Sequence, residues 1–277
     1  MGGFSVTMQN DLRSRVDWVW RETLKIHRNS PETRIASSLS PIEMFVALFY
    51  GGLLNHYPHD PRNDDRDRLI ISKGHGSICL YPILADRGFF DPEELNRVCQ
   101  KGGILGGIPD PIIPGYETVN GSLGHGLGVS AGIALALKSR GKTNDVFVLT
   151  GDGELHEGAC WEAIMFAGHH SLDNLHLLID NNSIAMLGFT DDIISHGSLE
   201  ARLTSFGWDT VEIDGHDIYA VHETIGAKKA LRNGRPKAVI ARTLKGRGVP
   251  GLENQPLSHI INPKVETLNT ILGLDHE

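Results

Sequence analysis

Apolar residues recur along this 277-residue chain with two different spacings. Between positions 11 and 28, Val16, Val19, Trp20 and Leu24 have helical spacing, which predicts an amphipathic helix. Further along the chain, short apolar runs alternate with longer stretches of helical spacing. Such alternation is typical of an α/β fold with a doubly wound, mainly parallel sheet and helices on both faces.

Turn and capping residues set the boundaries of the predicted elements. A second helix should begin with Ser40 as its N-cap and Pro41 in its first turn, and another with Asp91 as its N-cap. Residues 101–123 are rich in glycine and proline without periodicity, which predicts a long functional loop. A short strand that breaks into Gly-His-Gly is predicted in RLIISKGHG (68–76), and further strands are predicted at 146–150, 175–180, 209–213 and 238–242. Helices are predicted at 123–141, 158–170, 198–206 and 217–231.

Composition narrows the class of protein. We expect a single domain over residues 1–277, with 245–277 as a C-terminal loop and tail. The formal net charge of −8 argues against a nucleic-acid partner and against an anionic membrane surface. Three cysteines without a CxxC pair favour reduced thiols in a cytoplasmic protein. No apolar run reaches the roughly 18 residues of a membrane span.

Two predicted strands end on oxygen-bearing side chains. VFVLTGDGELHEG breaks into Gly151, Asp152 and Gly153, and one strand–helix–strand unit later LLIDNN ends with Asn182. The carboxyl ends of neighbouring parallel strands meet at one edge of a sheet, where ligands bind. A carboxylate and an amide oxygen suit Mg²⁺ or Ca²⁺. Either motif alone is more often an ordinary turn, but the pair at this spacing favours a metal site.

The same edge suits a diphosphate. Gly151 and Gly153 would let its oxygens approach the backbone, and the N-terminus of the predicted helix 158–170 favours anions. Two protein ligands are too few for an all-protein cage, and Mg²⁺ commonly completes its shell with water and phosphate oxygens. The sequence therefore predicts a metal–diphosphate site.

Several segments resemble the transketolase family of thiamine diphosphate enzymes. GDGELHEG followed by IDNN is similar to the cofactor signature, and SKGHGSICLYPILADRGFF, PGYETVNGSLGHGLGVSAGIALA, GFTDDI and FGWDTVEIDGHD follow in the family's order. The resemblance covers roughly residues 35–260 and implies thiamine diphosphate together with Mg²⁺, or Ca²⁺ or Mn²⁺ in its place.

The resemblance implies roles for individual residues. Asp152, Asn182 and the backbone carbonyl of Ile184 would bind the metal. His75 and His259 would line both the cofactor and the reaction centre. The other implied cofactor contacts are Gly121, Ser122, Leu123, Gly151, Gly153 and Glu154, with Asn182 contributing to both sites, and Glu157 would lie at a dimer interface that links two active sites.

Two positions depart from the family pattern and bear on the substrate. Arg34 in TRIASSLS and Ile108 in GGIPD stand where the family often has sugar-contacting histidines. Their presence removes hydrogen-bonding groups for a ketose, and Arg34 adds a fixed cation suited to a carboxylate, phosphate or sulfonate. Alternatively, Arg34 points away from the site or the local alignment is shifted.

The resemblance implies a chain that works with a partner. The family's second domain has no counterpart here, so we expect the N-terminal subunit of a split transketolase. Its partner would be a C-terminal subunit carrying the pyrimidine-binding domain, in an α2β2 heterotetramer. Together they would transfer a two-carbon unit from a ketose donor to an aldehyde acceptor.

Three other functions compete with this one. A 2-oxo acid donor such as pyruvate is the variant favoured by Arg34 and Ile108. A non-catalytic scaffold or regulatory subunit on the same fold is a second alternative, against which the intact Asp152, Gly153 and Asn182 argue. A Rossmann dehydrogenase is disfavoured, because no GxGxxG opens a helix after a strand.

Overall fold

The fold is a five-stranded parallel sheet covered by helices. The structure, a computed structural model, describes residues 6–274, with side chains from residue 11 onward. The strands are β1 (Arg68–Ile71), β2 (Val146–Gly151), β3 (Leu175–Asn181), β4 (Asp209–Asp214) and β5 (Lys237–Arg242). Their order in the sheet is β1-β2-β3-β5-β4 and every pairing is parallel. The predicted doubly wound α/β fold is confirmed.

Helices lie on both faces of this sheet. They are α1 (Val6–Asn29), α2 (Ile35–Leu39), α3 (Ile42–Phe49), α4 (Leu80–Asp86), α5 (His125–Ser139), α6 (Gly158–His169), α7 (Thr190–Ile194), α8 (Leu199–Ser205), α9 (Ile218–Ala230) and α10 (Val265–Leu272). Short 3-10 helices span Gly74–Gly76, Pro92–Arg97 and Gly153–His156. Among residues 6–274, none of the helices combines the length and apolar character needed to cross a bilayer.

Each face of the sheet has its own apolar core. Phe147 and Leu178 point into a core with α1, α3, α4 and α9, whereas Val148 and Leu177 point into a core with α5, α6 and α8. Neighbouring strand residues point to opposite faces, so burial on both faces makes each central strand a continuous apolar run. This explains why β2 and β3 could be predicted from apolar runs in the sequence.

Ser40 is not the N-cap of α3, as the sequence predicted. Pro41 takes that position without a side-chain cap, and Ser40 closes the C-terminus of α2. The Ser40 hydroxyl donates instead to Asp180 Oδ2 at 2.6 Å. A hydrogen bond to a buried carboxylate is stronger than a neutral cap, which accounts for the difference. The cap at Asp91 is confirmed, but it opens a 3-10 helix.

The chain after β5 returns to the first helix. Helix α10 packs on α1 through Leu268 and Leu272. Arg28 donates to the Asn269 side chain at 2.5 Å, and Arg21 donates to the Leu272 carbonyl at 2.8 Å. These contacts attach the C-terminal segment to the sheet domain.

A buried ion network holds the amino ends of the strands together. Asp145, which is 1% exposed, accepts hydrogen bonds from His176 at 2.8 Å and from Arg232 at 2.7 Å. Lys229 donates to Asp67 at 2.7 Å beside them. This network lies at the edge of the sheet opposite the site described next.

Candidate cofactor-binding site

The carboxyl ends of the strands bring the predicted metal ligands to one edge of the sheet. Gly151 on β2 pairs in register with Asp180 on β3, and the Asp152 N–H donates to the Asp180 carbonyl at 3.3 Å. Asp152 and Asn182 follow directly and are 2% and 5% exposed. The two strand ends therefore lie side by side, as their spacing in the sequence predicted.

Oxygen atoms dominate this edge. Asp152 Oδ2 accepts from the Thr190 hydroxyl at 2.7 Å, and burial raises the pKa of the Asp152 carboxyl. Asn182 Oδ1 accepts from the Ile184 N–H at 3.2 Å, and the Ile184 carbonyl accepts from Lys245 Nζ at 3.3 Å. One carboxylate, one amide and one carbonyl fit a hard cation that completes its shell elsewhere. Within the described part of the chain, histidines, cysteines and acids form no metal cluster of three or more.

Glycines allow the surrounding loops to approach one another. A Cβ at Gly153 would lie 3.3 Å from the Ala185 Cα, and one at Gly74 would lie 2.6 Å from the Asn120 Cβ. Gly121 has a φ of +109°, which L-residues rarely adopt. The segments that follow β1, β2 and β3 and the 120–123 segment thus form one compact cradle.

Glu154 ties the loops of this cradle together. Its carboxylate accepts hydrogen bonds from the Ser72 hydroxyl, from the Gly124 N–H at 2.9 Å and from the Gly151 N–H at 3.2 Å. The side chain is 3% exposed, and burial raises the pKa of its carboxyl. Protein donors occupy both carboxylate oxygens of Glu154. The side chain therefore links the segments that carry these donors.

Two histidines adjoin the cradle. The ring centroids of His75 and His259 lie 4.8 Å apart, edge to face, and His259 Nδ1 is 3.3 Å from the Ser37 hydroxyl. Burial lowers the pKa of His75 well below its usual value and that of His259 to about 4. Nearby cations, Arg34 among them, lower both pKa values further. Arg34 is therefore within electrostatic range of both rings.

The remaining predicted residues lie around the cradle's rim. Ile108, which is 51% exposed, would be 3.4 Å from a Cβ at Gly121. The Ser122 hydroxyl and the Leu123 carbonyl are 3.2 and 3.1 Å from Nδ1 of His125. Glu157 is exposed at the start of α6.

Sequence reasoning missed two buried lysines at this edge. Lys73 follows β1 and is 2% exposed, and Lys245 follows β5 and is 4% exposed. Burial lowers the pKa of Lys245 to about 8, and the charge of Lys73 contributes to that lowering. The available signal was their place directly after apolar strands, the same signal that identified Asp152.

Fold and site define an α/β protein whose ligand site lies at the carboxyl edge of a parallel sheet. Residues 35–277 match the family model described as transketolase, thiamine diphosphate binding domain. The chain belongs to the transketolase family. This membership excludes the dehydrogenase alternative.

Relatives of similar length carry subunit names. The chain is 36% identical over 265 residues to an apulose-4-phosphate transketolase subunit of Actinobacillus succinogenes, covering 95% of both chains. It is 34% identical over 252 residues to the 6-deoxy-6-sulfo-D-fructose transketolase subunit SqwG of a Clostridium species, covering 91% of both.

Solved structures share the fold. The crystal structure of Campylobacter jejuni transketolase matches with a TM-score of 0.86 at 27% identity. The match covers 98% of this chain but only 44% of that transketolase. The chain thus corresponds to less than half of such a protein.

Proposed function

We propose that this chain is the diphosphate- and Mg²⁺-binding subunit of a two-component transketolase. The observation that carries the proposal is the convergence of Asp152, Asn182 and the Ile184 carbonyl with a buried lysine, Lys245. Within the described residues, no carboxylate forms an ion pair with that lysine. A buried ammonium without a counter-charge is costly, and a bound diphosphate would supply that charge.

Each residue has a task when the cofactor is bound. Asp152, Asn182 and the Ile184 carbonyl would hold the cation, and Lys73 and Lys245 would supply positive charge toward the diphosphate. The cofactor itself supplies the carbon–carbon cleavage chemistry. His75 and His259, both neutral near pH 7 because their pKa values are lowered, would accept or relay a proton.

The donor we propose is an anionic ketose. Arg34 lies within electrostatic range of His75 and His259, so an anionic group in that region would be favoured. The similar subunits named above bear the names of a phosphorylated and a sulfonated sugar. A 2-oxo acid donor would also meet Arg34 and is the second candidate.

Activity should need a second chain, and we propose an α2β2 complex. The support is the subunit naming of relatives of the same length. Large apolar side chains are also exposed in one segment that follows the Asn182 loop: Met186, Leu187, Phe189, Ile193 and Ile194. Such a patch marks an interaction surface.

Cofactor titration tests this function. With the partner subunit present, thiamine diphosphate should bind only with Mg²⁺, and Asp152→Ala should weaken binding at least a hundredfold while the chain keeps its far-ultraviolet circular dichroism. Glu266→Ala, at an exposed acid on α10, is the control and should bind like the wild type. Equal affinity of wild type and Asp152→Ala would refute the assignment of Asp152 as a metal ligand, and absence of binding by the wild type would favour the scaffold alternative.

A further inference from the structure

Asp180 connects three segments behind the cradle. It lies on β3, is 0% exposed and accepts hydrogen bonds at both oxygens. Oδ2 accepts from Ser40 and from Lys73, and Oδ1 accepts from Thr243. These donors come from the α2–α3 junction, the segment after β1 and the segment after β5.

Lys73 is held by this carboxylate alone. Within the described residues, Asp180 is the one acceptor that the Lys73 ammonium has, although an ammonium carries three donors. The Lys73 Cδ would be 3.7 Å from a Cβ at Gly151, so its side chain runs beside the Gly151–Gly153 turn. Two donors are therefore left without a protein partner beside that turn.

Charge balance depends on Asp180. Its carboxylate is fully buried, and the Lys73 ammonium is the one cation that forms an ion pair with it within the described residues. Lys73 and Lys245 are both buried cations that repel each other. Without the carboxylate, Lys73 would lose its counter-charge and the contact that holds it in position.

We propose that Asp180 is a positioning residue that acts through Lys73, keeping that ammonium fixed beside the Gly151–Gly153 turn to receive a diphosphate. The inference rests on the proposed function and deepens it. It assigns to Asp180 an effect on diphosphate affinity that is separate from its effect on folding.

The test is a mutant cycle on this chain assembled with its partner subunit, with Mg²⁺ present. Affinity for thiamine diphosphate, and for inorganic pyrophosphate as a probe of the diphosphate half, is measured for wild type, Asp180→Asn, Lys73→Met and the double variant. Asp180→Asn should weaken both ligands at least tenfold. In the Lys73→Met background, Asp180→Asn should alter affinity less than twofold, because the ammonium through which Asp180 acts is absent.

Asp145→Asn is the matched control, since Asp145 is as buried and ion-paired but lies at the opposite edge of the sheet. It should lower the melting temperature without changing either affinity. Thr243→Val removes one donor to Asp180 and should weaken binding a few-fold even if Asp180→Asn does not fold.

The outcomes separate the two proposals. If the wild type binds and Asp180→Asn or Thr243→Val binds equally, Asp180 is only structural and the positioning role is overturned. Additive losses in the cycle would overturn action through Lys73. Failure of the wild type to bind either ligand would overturn the proposed function itself.

Discussion

The stability of this protein should depend on pH through individual buried side chains. His27 is one of them. It is 4% exposed near the C-terminus of α1. Its Nδ1 contacts the Thr33 hydroxyl, which donates to the Ser30 carbonyl at 2.7 Å, so Nδ1 must carry the proton. Nε2 has no hydrogen-bond partner within the described residues. Burial lowers the pKa of His27 to about 3.

The pH dependence of stability should change when His27 is replaced. The unfolded chain takes up a proton near pH 6.5, whereas the folded chain resists it until about pH 3. Stability from this residue is therefore complete above pH 6.5 and is lost as pH falls, by up to about 1.4 kcal/mol per pH unit. In His27→Asn, the free energy of unfolding measured with urea should fall less between pH 7 and pH 4 than in the wild type. His59→Asn, at an exposed site, should follow the wild type.

We also expect single side chains to set donor choice. Ile108 cannot hydrogen-bond a sugar hydroxyl, and one lost hydrogen bond to a buried polar group costs about 1–3 kcal/mol, roughly ten- to hundredfold in rate. Although xylulose 5-phosphate is an anionic ketose, its hydroxyls would lack the two histidine contacts, so the assembled complex should use it poorly and Arg34→His/Ile108→His should improve its use. A donor panel of phosphoketoses, unphosphorylated ketoses and pyruvate measures this. Efficient turnover of xylulose 5-phosphate by the wild type, unchanged in the double variant, would show that neither position determines donor choice.

At the scale of elements, close helix–loop packing depends on Gly168 in α6. A Cβ there would lie 1.9 Å from the Phe206 carbonyl oxygen, which belongs to the backbone and cannot rotate away. The contact fixes α6 against the turn after α8. Gly168 is the penultimate residue of α6, and the close approach leaves no room for a side chain there.

Gly168→Ala should therefore destabilise the fold, by about 2 kcal/mol or more, because overpacking displaces backbone. Gly128→Ala in α5 is the control, since a Cβ there meets nothing within 4 Å. Alanine at 128 should stabilise by about 0.5–1 kcal/mol through helix propensity. Chemical denaturation of both variants provides the comparison. If Gly168→Ala is as stable as the wild type, the turn after α8 can shift to accommodate the added methyl group.

The elements were predictable where the pattern was local. Buried central strands could be predicted from apolar runs, and helix starts from capping residues. The succession of β2 and β3 along the chain predicted that Asp152 lies beside Asn182. Ser40 was assigned wrongly because its true acceptor, Asp180, lies 140 residues away. Lys73 and Lys245 were missed because a lone lysine after a strand looks like any solvated charge. Their burial depends on loops that only the folded chain brings together.

At the scale of the whole molecule, the apolar residues 186–194 adjoin the candidate metal loop. This segment doubles back through a bridge between Ile184 and Phe189. Leu187 and Ile194 are 68% and 64% exposed. We infer that a partner covers them in the active complex, which would exclude water from the cofactor edge.

Leu187→Asp/Ile194→Asp should abolish assembly with the partner while the chain stays folded, because charges would be buried in an apolar interface. Sedimentation velocity of the mixed subunits measures assembly, and turnover should fall with it. Leu231→Asp, an exposed apolar residue beside the amino-end network, should assemble normally. Turnover by the isolated wild-type chain would contradict the requirement for a partner.

The sheet has two chemically different edges, with the Asp145–Arg232 network at one and the cofactor cradle at the other. Changes in the loops at positions 34 and 108 need not disturb the ion pairs that hold the amino ends. Under the proposed function, substitutions at these two positions would change the preferred donor while the fold is kept. For directed evolution, this means that libraries confined to the carboxyl edge will retain a high fraction of folded members.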